Sequence, residues 1–339
     1  MSQARQATLK VVIESKDVSK VINEFLKSFD YDEAVSNEAD KASISLNDVK
    51  ELWIGDWFPK KGAKANVSIV VNNWYGGEGK SEFSLGTFEI DELKNSFPPA
   101  EAQIKLNSIP NNSEIRNVDR SRSWEKVLLS KIAKDVADGA KMELFYDTKE
   151  DPIIERAEQS EKSDLQFLRK LCTDKGLALK VTDNKIVIFD FEKYESQPPI
   201  EIYIKGESRI IKFDATSKLN QVYQACQVTY KHGKKKEKIE AVYKDESKSE
   251  GLTLKINQKV ESKEEAERLA KKKLREKNKE ENKLSLIVVG NIGLSAGLTI
   301  EIKGFHVHDG KYLINKLKHN IGNSGFTTSL ELTKCLQGY

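Results

Sequence analysis

The chain has 339 residues, 38% hydrophobic and 32% charged, enough apolar material for cores beneath heavily decorated surfaces. Lys and Arg number 56 against 53 Asp and Glu, and the resulting +3 argues against a broad one-signed nucleic-acid groove and against an acidic disordered chain. At roughly 100–200 residues per domain, this length allows two or three domains.

From Ala7 to about Ile109 the pattern predicts mainly strands. Leu9-x-Val11-x-Ile13, Ala42-x-Ile44-x-Leu46 and Val67-x-Ile69-x-Val71 alternate with the period that puts one strand face on a core. Residues 18–29 allow two readings: Val18, Val21, Ile22, Phe25 and Phe29 fit a helix stripe, whereas Ser28-Phe-Asp-Tyr31 looks like a strand. Phe83-x-Leu85 and Phe88-x-Ile90 are expected to flank a tight turn at Gly86. Pro98-Pro99 and Pro110-Asn-Asn mark boundaries, because proline has no ladder donor.

Over about 116–205 the period changes. Trp124, Val127, Leu128, Ile132 and Val136 predict a helix with Ser123 as N-cap and Gly139 beyond its end. Ser163-x-x-Gln166 opens a second helix that buries Leu165, Leu168 and Leu171 and stops at Gly176. Two short strands, Leu177-x-Leu179-x-Val181 and Ile186-x-Ile188, follow across Asp183-Asn184, completing a small α+β module before Pro198-Pro199. From about 206 strands return at Ile210–Phe213, Val222–Tyr230, Ile239–Val242 and Leu284–Val289. One long helix interrupts them, capped by Ser262-x-x-Glu265, with Ala266, Leu269, Ala270 and Leu274 as a narrow seam. That seam is expected to pack on the C-terminal barrel, leaving the Lys/Glu-rich faces to solvent or to neighbouring proteins.

A pattern occurs twice. Gly86-x-Phe88-x-Ile90-x-x-Leu93 returns as Gly310-x-Tyr312-x-Ile314-x-x-Leu317. Each copy lies between alternating strands, Val67–Val71 and Ala102–Leu106 in the first, Leu298–Ile302 and Thr328–Leu332 in the second. Two β-domains of one design are therefore expected, although short hairpins resemble one another at this level. A chain carrying two similar units can build a ring with twice as many units as chains.

Candidate chemistry is sparse. Cys172, Cys226 and Cys335 are widely spaced, with no zinc signature, and suit a reducing compartment; Cys172 is expected to be buried filler. No apolar run reaches membrane-spanning length, and the N-terminus runs into a strand without a signal-peptide h-region, so synthesis and folding in the cytoplasm are expected. Gly79-Lys80-Ser81 resembles the end of a phosphate loop, but Trp74 occupies the place of its first glycine and no helix is expected after it, so a hairpin tip at Tyr75–Lys80 is favoured. His306-x-His308 would put two imidazoles on one strand face, a spacing able to ligate a metal if His232, His319 or a carboxylate supplied a third ligand; the structural reading is preferred. Carboxylates such as Glu89, Asp91 and Glu92 are numerous, and a glycosidase pair leaves no short motif, so a wall-degrading activity stays as an alternative. The basic run Lys231–Lys238, with Tyr223, Tyr230 and Tyr243 nearby, admits contact with phosphate or nucleic acid, or a solvated hairpin tip that discourages edge pairing.

Five ordered segments carry a resemblance. They are Phe29-Asp-Tyr31 with Asp40-x-x-Ser43-Ile44-x-Leu46 and Trp53-x-x-x-Trp57-x-Pro59-x-x-Gly62; Gly86-x-Phe88-x-Ile90-Asp91-Glu92 with Pro98-Pro99; Arg122-x-Trp124 with Leu129, Ile132 and Ala133; Gln159 with Ser163-Asp164-Leu165-x-Phe167-Leu168, Gly176-Leu177 and Ile186-Val187-Ile188; and Gly310-x-Tyr312-x-Ile314 with His319 and Gly325-x-Thr327-Thr328-x-Leu330-x-Leu332. Together, and over almost the whole chain, they resemble the late control gene D proteins, the baseplate hubs of contractile phage tails and related particles. The resemblance implies a homotrimer in which two tube-like β-barrels per chain form a pseudo-sixfold ring between a sixfold tail tube and a threefold spike. Tape-measure and other baseplate proteins are the further implied partners, and DNA would only pass through the channel. The expected fold is mainly β with an α+β insertion: an N-terminal barrel at 1–115, a decoration module at 116–205 and a C-terminal barrel at 206–339 with helix 262–278. No catalytic, cofactor or metal residues are assigned. The sequence stops shortly after Leu332, without the lysozyme or spike domain of larger hubs, so wall chemistry is expected of separate proteins.

Overall fold

A computed structural model describes residues 4–60, 62–74, 79–109, 114–182, 185–218, 222–231, 238–260 and 262–336. In chain order the first part holds β1 (Gln6–Ile13), β2 (Lys16–Asp17), α1 (Ser19–Phe25), β3 (Leu26–Ala34), β4 (Lys41–Asn47), β5 (Lys64–Asn72), β6 (Lys80–Ser96) and β7 (Glu101–Asn107). The middle part holds α2 (Glu114–Asn117), β8 (Asp119–Leu128), α3 (Leu129–Gly139), β9 (Glu143–Asp147), β10 (Ile153–Ser163), α4 (Asp164–Asp174), β11 (Ala178–Thr182), β12 (Lys185–Phe189) and α5 (Phe191–Ser196). The last part holds β13 (Glu201–Ile204), β14 (Ile210–Ser217), β15 (Tyr223–Lys231), β16 (Lys238–Lys244), β17 (Leu252–Asn257), α6 (Lys263–Lys279), β18 (Asn282–Val289), β19 (Thr299–Lys303), β20 (Gly310–Gly322) and β21 (Gly325–Lys334).

Strand takes 53% of the residues against 19% helix, so the fold is mainly β. Among the described residues, the first and last parts do not form two closed barrels. Their strands join one open thirteen-stranded sheet, running β14-β18-β21-β20-β3-β4-β7-β6-β5-β1-β2, with β19 on β20 and β13 on β19. One core lies beneath it, in which Phe29, Ile44, Ile69, Phe88 and Ile104 from the first part meet Leu286, Ile300, Tyr312, Ile314 and Leu330 from the last. The sheet curls: the Trp74 indole after β5 donates to Gly290 O after β18 (2.6 Å) and packs on Phe326, although β5 and β18 stand far apart in strand order.

Residues 18–29 contain both readings, α1 followed directly by β3. Gly86 is not a turn. It lies inside the long strand β6 at φ +100, where the β5–β6 register shifts between Val67 and Ser68. A glycine within a strand marks such a bulge.

The middle part has its own core, in which Leu129, Ile132, Ala133 and Val136 of α3 and Leu168 and Cys172 of α4 meet Ile186 and Ile188 of β12. Its first helix begins later than expected. Trp124 and Val127 belong to β8, an antiparallel partner of β10, and α3 starts at Leu129 without a side-chain cap; Asp151 instead accepts from Ser130 N and Oγ. Ser163 and Ser262 cap α4 and α6 as predicted, accepting from Gln166 N (3.4 Å) and Glu265 N (3.1 Å).

The seam of α6 does not lie on the large sheet. Ala266, Leu269, Ala270 and Leu274 pack on Cys226, Val228 and Ala241 of a separate three-stranded sheet, β16-β15-β17, inserted between β14 and β18. Nor do its charged faces simply meet solvent. Lys272 reaches Glu150 (2.5 Å) and Asp190 (3.7 Å), Lys175 reaches Glu265 (2.7 Å), Arg275 reaches Glu192 (2.8 Å) and Glu195 (2.6 Å), and Lys279 reaches Glu195 (2.5 Å). The middle part thus supplies acidic partners to Lys272, Arg275 and Lys279 and a basic one, Lys175, to Glu265.

Candidate functional site

The repeated sequence pattern is a repeated structure, down to its irregularities. In the first part β6 pairs with β7, which pairs with β4, which pairs with β3; in the last, β20 pairs with β21, then β18, then β14. The registers correspond: Ile90↔Leu106 and Leu93↔Ile104 match Ile314↔Leu332 and Leu317↔Leu330. Ile44↔Ile104 with Phe29↔Ile44 matches Leu286↔Leu330 with Phe213↔Leu286. The long strands bulge at equivalent places, between Ile90 and Glu92 and between Ile314 and Lys316. The outer strands also bulge alike, between Leu26 and Ser28 and between Ile210 and Lys212. Ile90 N donates to Ala63 O and Ile314 N to Leu298 O, both at 2.9 Å. Shared bulges are not needed to satisfy period-two burial, so their coincidence marks one design used twice.

The repeats are joined edge to edge. Beyond its bulge, β20 pairs on its second side with β3, from Lys316↔Ala34 to Gly322↔Ser28. Ion pairs cross this junction at Lys318–Asp30 (3.1 Å) and, by way of the loop after β3, Lys316–Glu38 (2.5 Å), and Asn320 donates to Asp30 (2.8 Å). On its inner face His319 is fully buried, with Nδ1 3.0 Å from Thr328 Oγ1, its ring stacked 6.1 Å from Tyr31, and Nε2 without a hydrogen-bond partner among the described residues. Burial pushes its pKa down to about 4, so the ring is neutral at pH 7.

The segments behind the resemblance come together in space. Asp164, fully buried, is bonded by Arg122 and by Gln159 (2.8 Å) and lies 3.5 Å from Arg120, while Trp124 stacks on Phe167 at 5.2 Å. Trp53 meets Trp57 edge-on at 5.6 Å, and the Lys16 ammonium sits 3.8 Å from the Trp57 ring centre. All of them except Arg120 and Lys16 stand out in the sequence, which gives them no mutual contact. These contacts hold architecture in place.

The residues weighed for chemistry are scattered. Residues 75–78 and 232–237, which carry most of the glycine-rich loop and of the basic run, lie outside the described residues; His232 is among them, and Asp183-Asn184 lie outside as well. Strand β6, not a helix, comes directly after Gly79. His306 and His308 stand on a single 3-10 turn, not on one face of a strand, and Asp309 closes that turn by accepting from Gly304 N and Phe305 N. Among the described residues, no three His, Cys, Asp or Glu side chains converge as a metal site, and no helix is long and apolar enough to cross a membrane. Burial pushes the thiols of Cys172 and Cys335 up to about 12 and that of Cys226 to about 11, holding all three protonated.

A sequence profile described as YQBQ-like matches residues 167–333. The chain is 27% identical over 178 residues to the probable baseplate hub protein of Escherichia phage P2, covering 52% of this chain but only 43% of that protein. Among solved structures it is similar to the 43 kDa tail protein of prophage MuSo2 from Shewanella oneidensis, with a TM-score of 0.74, 14% identity and coverage of 97% and 99% of the two chains. The tail protein from Neisseria meningitidis MC58 gives 0.72 at 15% identity, covering 97% and 96%. At such identities the structural matches establish a shared fold.

Proposed function

We propose that this chain, a homologue of the probable baseplate hub protein of phage P2, is a structural hub subunit of a contractile phage tail or phage-tail-like particle. The observation that carries the reading is the four-stranded unit built twice in one chain with coincident bulges. A sixfold ring made by three chains requires each chain to present two near-equivalent units, and this chain presents two. In this reading the units at 1–115 and 206–339 alternate around a channel, and the module at 116–205 decorates its outside. The homotrimer adapts the sixfold tail tube to the threefold spike, beside tape-measure and other baseplate proteins, within the tail of the assembled particle. Its role is structural, with no cofactor and no reaction; DNA only passes through.

The test is the mass of the purified chain in solution, alone and mixed with its spike protein. A trimer in either state supports the reading, and a strict monomer in both refutes it. A peptidoglycan-clearing activity abolished by changing one acidic residue would replace it with a wall-degrading enzyme.

A further inference from the structure

Resting on the hub reading, we propose that the trimer closes through a β-ladder between residues 92–97, at the end of β6 in one chain, and β14 of the next. This ladder repeats between chains the β20–β3 junction within each chain. The duplication makes β6 the counterpart of β20, and β14 the counterpart of β3. At the intact junction, the second half of β20 holds β21 on one side and β3 on the other. Its counterpart, Glu92–Ser96, pairs among the described residues with β7 alone, and β14 with β18 alone. Each chain is therefore left with one edge of each kind, both with backbone donors and acceptors open to a partner.

Side chains match this account. Ile321 is 6% exposed at the intact junction, while its counterpart Phe97 is 79% exposed. Phe29 and Leu317 are fully buried, while Phe213 and Leu93 are only half-buried. The Lys318–Asp30 pair has Lys94 and Asp214 as its counterparts, again a lysine and an aspartate. In the single chain Asp214 pairs with its neighbour Lys212 (2.6 Å), at an exposed position. Carrying the junction register over sets Phe97 opposite Phe213, Lys94 opposite Thr216 and diagonal to Asp214, and Glu92 opposite Lys218. Pro98, which has no N–H to give, ends the ladder. The occupant of each edge is thus a second copy of this chain, since the complementary edge is its own. Such a head-to-tail contact closes into a ring or runs on as a filament.

The experiment uses the full chain in a Cys335→Ser background. Lys94→Cys combined with Thr216→Cys should give a covalent trimer under mild oxidation on a non-reducing gel, and either change alone should not. Lys94→Glu or Asp214→Lys should weaken trimer formation about tenfold or more, and the two together should restore it. Circular dichroism shows whether each variant is folded. A protein that stays trimeric by mass, forms no cross-link and ignores both reversals overturns this interface while leaving the hub reading intact. Cross-linked species longer than three copies would refute closure at three, and a monomer with and without spike overturns both proposals.

Discussion

His319 offers a direct probe of how the two repeats are held together. Its ring is fully buried on β20 beside Tyr31 of β3, with Thr328 as the partner of Nδ1 and no described residue bonded to Nε2. Burial holds its pKa at about 4 in the folded chain, against about 6.5 in an unfolded one. Between those values the unfolded state binds the additional proton. The stability contributed by the neutral ring is therefore complete above about pH 6.5 and is lost as pH falls toward 4, with a ceiling of about 3 kcal/mol. Asp32 and Asp40 have pKa values raised by burial and act in the opposite sense in acid, so the difference between two proteins is the informative quantity. His319→Asn keeps a polar group near Thr328 without titrating, and it reproduces Asn95, the counterpart in the first repeat. Urea unfolding followed by tryptophan fluorescence at pH 7 and pH 4.5 should show the parent losing about 2–3 kcal/mol more than the variant. Parallel losses, or a His319 pKa near 6.5 by NMR, would refute the reasoning.

Packing sets three further outcomes. Leu269→Asp puts an unpaired charge among Cys226, Val228 and Ala241 and should cost about 4 kcal/mol or more; proteolysis should open residues 222–280 first while the large sheet persists. Lys272→Glu sets a third carboxylate against Glu150 and Asp190, and should destabilise the docking of α6 on the middle part by about 2 kcal/mol in denaturant titrations, whereas Lys273→Glu, which loses only an exposed pair with Glu276, should change little. Asp164→Ala leaves Arg122 and Gln159 without their buried acceptor and should cost about 3–5 kcal/mol; a loss below about 1 kcal/mol would show that the cluster is not what orders the middle part.

Much of the chain was legible because local rules decide it. The alternation in β1, β4, β5, β18 and β21 and the caps at Ser163 and Ser262 were readable, since burial period and capping need only near neighbours. The glycine–aromatic pattern announced the duplication for the same reason. Where the partner lies far along the chain, sequence was silent or wrong. Trp124 and Val127 fit a helix stripe until β10 pairs beside them. Gly86 reads as a turn until β5 lies against it. The basic residues of α6 look solvated until Glu150, Asp190, Glu192 and Glu195 arrive from another part. The joining of β3 to β20, close to three hundred residues apart, is what turns two expected barrels into one open sheet and decides which edges stay unpaired. A strand's sequence carries its period but not its neighbour, because backbone donors and acceptors are alike in every strand; only the assembled core selects which edges meet.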